Sequence, residues 1–246
     1  MPSNRYFSAA IAFLLWGGWA FFVNRETSNY DGFIKVLFFA LIVKPIVFVV
    51  LGLNIRGRDN LPLSGPAILI ANHNSHLDTM VLMSLYPLKQ IHKLRPVAAA
   101  DYFVESGGLR AWFSQTCIGI IPMERSGDTA KEHLFNGCEQ ALDQQEILIL
   151  FPEGSRGEPE KMSALKKGIF HLLKPRKDTT TTPVMLHGLG RALPKGEALL
   201  VPFNCDVIIG KPLAITDSAE IFIKEMSNTF ESLGEFCLTK EKAKED

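Results

Sequence analysis

A histidine and an aspartate lie five positions apart in a polar segment that could transfer protons. The segment runs from Asn72 to Asp78 and directly follows an apolar stretch at residues 67–71. His73 can take up a proton near neutral pH, and a neighbouring carboxylate can fix its tautomer and stabilise the imidazolium. On one ideal helix the two residues would be about 140° apart, so His73 must lie in a loop before a helix that starts near Ser75. The spacing predicts a general base with an orienting carboxylate, although a buried polar pair or a helix cap would show the same pattern.

Two further segments place charged and small residues at the ends of apolar runs. Residues 119–125 end on Arg125, and residues 151–157 read Phe-Pro-Glu-Gly-Ser-Arg-Gly. Glycine lets the backbone approach a ligand closely, and the planar guanidinium of Arg125 or Arg156 suits a phosphate. Glu153 could orient an arginine or accept hydrogen bonds from hydroxyl groups. Taken singly, each segment could equally be a surface arginine or an ordinary turn between a strand and a helix.

Short apolar runs alternate with helical patterns across residues 56–238, which predicts an α/β domain. The runs lie at residues 67–71, 97–100, 117–122, 147–151, 183–186 and 199–203, and the clearest helical patterns at 128–144, 161–174 and 217–238. This alternation predicts a mixed, mostly parallel sheet flanked by helices, with residues 207–209 as a further strand at an edge. Ligands of such sheets bind at the carboxyl ends of the strands. We therefore expect the three polar segments to meet there.

The N-terminal part is apolar enough to lie outside water. Residues 6–23 contain no charge, and residues 36–53 form a second apolar run that is interrupted by Lys44 and Pro45. Each run approaches the ~20 residues that a spanning helix needs. We predict a membrane-associated helical hairpin over residues 1–55, spanning or re-entrant, with Lys44 reaching the membrane surface or facing protein. A cleaved signal peptide and two buried helices of a soluble core are the alternatives.

The charge distribution indicates which binding partners are favoured, and the cysteines indicate the cellular compartment. The chain carries 26 basic and 26 acidic residues, so it has no basic excess for neutralising nucleic-acid phosphates. Residues 1–99 have a net charge of +5, which favours anionic lipid headgroups beside this part and the cytoplasmic face for the domain. The four cysteines form no CxxC pair, which is typical of a reducing compartment. Residues 239–246 are predicted to be a charged, disordered tail.

Taken together, the three polar segments resemble the sequence blocks of the glycerolipid acyltransferase family, whose bacterial type is the 1-acylglycerol-3-phosphate acyltransferase. Asn72-His73-x4-Asp78 is similar to the first block, residues 119–125 to the second, residues 151–156 to the third and residues 182–185 to the fourth. The resemblance covers about residues 55–210. Ser155 stands where threonine is common in the family and Gly157 where serine is common, which leaves the choice of acceptor open.

This resemblance implies transfer of a fatty acyl group from an acyl thioester, on acyl-CoA or acyl carrier protein, to a lysophospholipid hydroxyl. His73 would be the general base and Asp78 its orienting partner. The acceptor would be held by Asn72, Arg125, Glu153, Gly154, Ser155 and Arg156. No cofactor or metal is implied. The expected acceptor is 1-acylglycerol-3-phosphate, which gives phosphatidate, and the alternatives are glycerol 3-phosphate and another lysolipid.

Three other classes of protein share parts of this pattern. A membrane-bound metal-dependent hydrolase could use His73, His76 and Asp78 as ligands, but the spacing departs from His-x-His-x-Asp-His and the final histidine is absent. A serine hydrolase needs Gly-x-Ser-x-Gly, whereas here a glycine immediately precedes Ser155; Ser75, close to His73, keeps a covalent route open. A membrane scaffold without catalytic activity would explain the hairpin but not three polar segments at strand ends.

Overall fold

The fold is built on one twisted sheet whose strands come from most of the chain. The computed structural model of the protein describes residues 29–99, 112–123, 134–158, 160–193 and 201–240. In these ranges the strands are β1 (Gly52–Arg56), β2 (Ala67–Ala71), β3 (Leu94–Ala99), β4 (Ile121–Met123), β5 (Ile147–Leu150), β6 (Thr180–His187) and β7 (Asn204–Ile209). They form a sheet in the order β1-β7-β6-β2-β5-β3-β4. The apolar run at residues 6–23 and the candidate Arg125 lie outside the described residues.

The sheet is mostly parallel, and this confirms the predicted fold class. Every neighbouring pair of these strands is parallel except β6 and β7, which are antiparallel. Residues 207–209 belong to a strand, as predicted, but the predicted edge position is wrong, because β7 lies between β6 and β1. β1 takes that edge, with Ile55 opposite Val207. Since β1 begins at Gly52, the sheet also starts before the boundary predicted between residues 55 and 56.

Helices cover both faces of the sheet. They are α1 (Asn29–Phe38), α2 (Leu77–Ser84), α3 (Asn136–Asp143), α4 (Gly168–Leu173), α5 (Leu189–Ala192) and α6 (Ala219–Gly234), with shorter 3-10 helices at Arg58–Asn60 and Leu88–Lys93. Successive side chains of a strand point to opposite faces. Thus Leu69 of β2 packs in the layer that contains α2 and α5, whereas Ile68 and Ile70 pack against α3, α4 and α6.

Several predicted elements differ from the structure. Of the strand predicted at residues 199–203, residues 201–203 are described and form no strand. The helix predicted over residues 161–174 is limited to α4, because the backbone N–H groups of Ser163 and Lys166 donate to Glu153 and Pro152 in the loop after β5. The strand predicted over residues 117–122 is divided at Gly119 between a π-helical turn (Ser114–Ile118) and β4. Gly119 has a φ of 77°, a left-handed conformation that glycine adopts without steric cost.

The helix that begins with α1 packs on the domain with one face and exposes the other. It continues through π-helical turns at Phe39–Val43 and Ile46–Val50, on either side of Pro45, which lacks the N–H group that a regular helix would use. Buried residues include Phe39, Val43 and Val47, and exposed residues include Phe33, Leu41 and Val49. Residues 32–50 are long and apolar enough to cross a membrane, by length and composition alone.

Two cations join this helix, and the 3-10 helix after β1, to the end of α2. Lys44 Nζ donates to the carbonyl oxygen of Tyr86 at 2.7 Å, and Arg58 Nη2 donates to that of Leu85 at 2.9 Å. Carbonyl groups at a helix C-terminus lack intrahelical partners and carry partial negative charge. The two side chains satisfy them, so Lys44 faces protein, which is one of the two arrangements expected for it.

The C-terminal segment is tied to the sheet at Thr239. Its backbone N–H and its hydroxyl both donate to Asp206 Oδ2, at 2.8 and 2.6 Å, while Asn54 donates to Oδ1 at 2.6 Å. Burial by itself would raise the pKa of Asp206, but these hydrogen bonds outweigh it and hold that pKa below its ordinary value. The disordered tail predicted from residue 239 therefore does not include Thr239.

Candidate active site

The first polar segment forms the loop between β2 and α2, at the carboxyl end of a central strand. His73 lies in this loop, and Asp78 lies in the first turn of α2. His73 Nδ1 is 2.9 Å from Asp78 Oδ2. The two side chains meet because the chain turns between them, as the spacing of five residues requires.

Asp78 is a buried acceptor on which several donors converge. Its side chain is 0% exposed, and its Oδ2 accepts hydrogen bonds from the backbone N–H groups of Asn74 at 2.7 Å and Ser75 at 2.9 Å. An ionised carboxylate can only accept, so the proton of neutral His73 must be on Nδ1. The lone pair is then on Nε2, which makes this nitrogen the one that can remove a proton from a substrate.

The ring and the backbone of His73 are held by the loop after β5. The imidazole stacks on Phe151, with 4.0 Å between ring centroids and 17° between planes. The backbone N–H of His73 donates to Glu153 Oε1 at 2.8 Å, and its carbonyl oxygen accepts from the N–H of Gly157 at 3.3 Å. Residues some 80 positions away in the sequence therefore fix the orientation of the His73 imidazole.

Two residues predicted to bind the acceptor form hydrogen bonds with the backbone. Glu153 is 2% exposed, and its second oxygen accepts from the N–H of Ser163 at 2.6 Å, so both oxygens bind backbone. Asn72 is 1% exposed, and its amide exchanges hydrogen bonds with both backbone groups of Leu186, at 2.8 and 2.7 Å. Both side chains thus hold backbone groups around His73 and Leu186, and the predicted contacts of Glu153 and Asn72 with the acceptor stay predictions.

A pocket of about 510 Å³ lies beside His73. We call it the site pocket. Its apolar wall comes from the carboxyl ends of β3, β4 and β5, and includes Val97, Met123 and Leu150. Its polar rim includes His73, His76, Gly154, Ser155 and Arg156. This arrangement can hold an apolar chain against the wall while a polar group contacts the rim.

Gly154 shapes the loop that presents Ser155 and Arg156. Its φ is 77°, and its N–H donates to the carbonyl oxygen of Phe151 at 2.9 Å. A Cβ at this position would lie 2.8 Å from Lys166 Nζ. Both the backbone conformation and the close approach therefore favour glycine.

His76 contacts the guanidinium of Arg156 on the rim of the site pocket. The contact joins His76 Nε2 to Arg156 Nη1. Partial burial lowers the pKa of His76, and its interactions with Arg156 and His73 lower that pKa further, against an opposing effect of Asp78. The sequence suggests His76 only as a ligand of the alternative hydrolase, and its position three residues after His73 is the signal that places it near the site.

The alternative of a metal-dependent hydrolase finds little support in this geometry. It needs His76 to share a ligand set with His73 and Asp78, but the Nε2 of His76 is directed at a cation. Across the described parts of the chain, no three His, Cys, Asp or Glu side chains form a group that could hold a metal ion.

Of the predicted site residues, Arg125 lies outside the described ranges, two positions after the end of β4 at Met123.

The sequence of this chain is similar to those of known acyltransferases. The model of a family described as Acyltransferase matches residues 52–187. The chain is 28% identical over 187 residues to the chloroplastic 1-acyl-sn-glycerol-3-phosphate acyltransferase LPAT1 of Arabidopsis thaliana, covering 75% of this chain and 49% of that protein. It is 24% identical over 225 residues to the 1-acyl-sn-glycerol-3-phosphate acyltransferase alpha of Homo sapiens, covering 86% of this chain and 74% of that protein. The chain thus spans about half the length of the plant relative.

The fold is also similar to that of a solved structure. The crystal structure of the 1-acyl-sn-glycerophosphate acyltransferase PlsC from Thermotoga maritima aligns with a TM-score of 0.64 and 18% identity. The alignment covers 94% of this chain and 93% of that chain. At this level of identity the match supports the arrangement of strands and helices.

Proposed function

Because the chain belongs to the acyltransferase family, we propose that it moves a fatty acyl group from an acyl thioester to the free hydroxyl of a lysophospholipid. The proposed acceptor is 1-acylglycerol-3-phosphate and the product is phosphatidate, since relatives in several organisms are named for that acceptor. One observation carries the proposal: the His73–Asp78 pair, at 2.9 Å, lies beside an apolar pocket that has a guanidinium on its rim.

The proposed reaction begins with removal of a proton. His73 Nε2 takes the proton of the acceptor hydroxyl, and Asp78 stabilises the resulting imidazolium. The alkoxide oxygen attacks the carbonyl carbon of the thioester and forms a tetrahedral oxyanion, which requires hydrogen-bond donors close to it. The carbon–sulfur bond then breaks, and the leaving thiolate takes the proton back from His73. No acyl-enzyme is needed in this sequence.

The rim of the site pocket is the proposed position of the acceptor headgroup. Arg156 can hold a phosphate in a planar, two-point contact, and the hydroxyl of Ser155 and the backbone at Gly154 line the same edge. We include Arg125 in this group because it follows β4 closely in the sequence. The apolar wall is the proposed position of the acyl chain that reacts.

Acyl transfer with purified protein tests the function. The protein in detergent is given labelled acyl-CoA and a choice of lysophosphatidate, glycerol 3-phosphate or a zwitterionic lysolipid. We expect label in phosphatidate, and a loss of about 10²- to 10⁴-fold in His73→Ala, the usual contribution of a general base. His171→Ala, which changes an exposed histidine on α4, is the matched control and should retain full activity.

The outcomes of this experiment separate the donor from the chemistry. Transfer only with acyl carrier protein as donor would identify that thioester and leave the mechanism unchanged. Transfer to glycerol 3-phosphate alone would replace the acceptor. Full activity in His73→Ala would contradict the role of His73, and no transfer with either donor would contradict the proposed function itself.

Kinetics of Arg156→Lys test the headgroup contact. Lysine keeps the charge but loses the planar fork, so we expect the acceptor KM to rise by about tenfold while the donor KM stays within about twofold. The same split is expected for Arg125→Lys. Equal changes in both KM values would mean that the arginine supports the fold and does not contact the acceptor.

We also propose that the exposed face of the helix that begins with α1 and continues to Val50 contacts the membrane, and that the domain lies on the cytoplasmic side of the membrane. The apolar side chains of Leu41 and Val49 are 67% and 83% exposed. Moving such side chains out of water lowers the free energy. Replacing both with aspartate should lower the fraction of protein that floats with anionic lipid vesicles. Unchanged flotation would contradict the contact, and a Leu63→Asp variant, which changes an exposed leucine outside this helix, is the control.

A further inference from the structure

His76 and Arg156 form a pair on the rim of the site pocket that the acyl-transfer mechanism does not use. His76 precedes α2, whereas Arg156 belongs to the loop after β5. The contact between His76 Nε2 and Arg156 Nη1 therefore bridges the loop that carries the general base and the loop that carries the headgroup arginine.

The chemistry of the contact fixes the protonation state of His76. A guanidinium has only N–H donors, so the Nε2 of His76 must present its lone pair and the ring must be neutral. The titratable and charged groups that face His76 are Arg156, His73 and Asp78. Two of these groups oppose a positive charge on the ring, and partial burial opposes it as well, so the pKa of His76 lies below its ordinary value.

The contact between His76 and Arg156 lowers the entropy that Arg156 loses when it binds a phosphate. A long side chain such as arginine loses rotamer freedom when it takes hold of a ligand, at a cost of about 0.5–1.5 kcal/mol per immobilised side chain. Arg156 in contact with His76 is already restrained before the ligand arrives, and the N–H groups not used by His76 are left for a phosphate. A protonated ring would instead have no lone pair to offer and would repel the guanidinium.

We propose that neutral His76 positions Arg156 for the phosphate of the acceptor, and that protonation of His76 releases Arg156 and weakens acceptor binding. The inference rests on the proposed function, because it assumes that Arg156 contacts the acceptor phosphate. It adds a positioning residue that sets both the affinity for the acceptor and its dependence on pH.

Binding in the absence of an acyl donor tests the positioning role without any turnover. The probe is a short-chain lysophosphatidate titrated into the full-length protein in detergent, and the matching monoacylglycerol, which lacks the phosphate, is the control ligand. For His76→Ala we expect lysophosphatidate binding to weaken by about three- to tenfold, the factor that corresponds to ordering one long side chain. Monoacylglycerol binding should be unchanged.

A conservative variant and a matched control keep the test specific. His76→Gln retains a side-chain oxygen that can accept from Arg156, so it should recover most of the affinity at neutral pH. His92→Ala removes another exposed histidine whose pKa is also lowered by partial burial and by neighbouring lysines, and it should bind lysophosphatidate as the wild type does. Equal weakening in His76→Ala and His92→Ala would overturn the proposal.

The pH profile gives a readout that simple packing would not change. Between about pH 7.5 and pH 5.5, the acceptor KM of the wild type should rise more steeply than that of His76→Gln, which cannot be protonated. Protonation of the lysophosphatidate phosphate affects both proteins equally and cancels in the comparison. Parallel profiles would overturn the proposal.

The outcomes also distinguish this inference from the proposed function. If the wild type binds and acylates lysophosphatidate but His76→Ala behaves identically in every arm, only the role of His76 is wrong. If the wild type transfers no acyl group to any acceptor, the proposed function is wrong, and the role of His76 is overturned with it.

Discussion

Replacing Asp78 with asparagine should slow acyl transfer strongly while leaving substrate binding nearly unchanged. Asparagine has almost the same shape and keeps one oxygen that can accept from the N–H groups of Asn74 and Ser75. It removes the negative charge that lies 2.9 Å from His73 Nδ1. That charge matters most when His73 has become an imidazolium, so its loss should act on kcat rather than on KM.

The structure allows the size of this effect to be worked out. The hydrogen bond between His73 and Asp78 joins two charged groups in the transition state, and bonds to charged groups contribute about 1.5–3 kcal/mol against about 0.5–1.5 kcal/mol for neutral ones. With both partners charged and Asp78 fully buried, we take the loss as about 2–3 kcal/mol. At about 1.4 kcal/mol per factor of ten, kcat should fall by about 30- to 160-fold.

The assay measures initial rates of phosphatidate formation over a range of acceptor and donor concentrations. Asp59→Asn, which neutralises an exposed aspartate, is the matched control and should keep the wild-type rate. Circular dichroism and urea unfolding establish that Asp78→Asn is folded, with an expected loss of about 1–2 kcal/mol as two backbone donors lose their charged acceptor. A folded Asp78→Asn protein with kcat within about threefold of the wild type would refute the role of the carboxylate.

Three further substitutions test how the site and its surroundings are held. Glu153→Gln places an amide N–H opposite a backbone N–H, that of His73 or of Ser163, which disturbs the position of His73. We therefore expect kcat to fall while the acceptor KM stays within about twofold. A higher acceptor KM with unchanged kcat would instead support the predicted contact of Glu153 with the headgroup. Gly154→Ala should cost about 1–2 kcal/mol of unfolding free energy because its φ is 77°, whereas Gly32→Ala, at an open helical position, should cost nothing; equal melting temperatures would contradict this. The lowered pKa of Asp206 means that it stabilises the fold above its ordinary value of 3.8, and that this stabilisation is lost as the pH falls through the lower folded value. Urea unfolding at about pH 7 and pH 3 should therefore show Asp206→Asn less stable at pH 7 and less sensitive to acid; an unchanged acid dependence would contradict the assignment.

The fold class and the position of the proposed catalytic base, His73, follow from local features of the sequence. Alternating apolar runs and helical patterns specify strands and helices because side chains repeat every two residues on a strand and every 3.6 on a helix. The spacing between His73 and Asp78 excludes a single helix, so a loop at His73 was required. The helical pattern at residues 217–238 is equally clear: Phe222, Met226 and Phe230 are spaced four residues apart and are buried on α6.

Contacts between distant parts of the chain determine the contacts of the individual site residues and the order of the strands in the sheet. Glu153 and Arg156 look alike in the sequence, as charged residues of one short segment, yet one binds the backbone of His73 and the other lies on the pocket rim. The interior place of β7 depends on β1, about 150 residues away in the chain. Such choices depend on which hydrogen-bond donors lie nearby after folding. A buried carboxylate or amide forms hydrogen bonds with the groups that folding brings next to it. The local periodicity of the sequence does not show which groups these are.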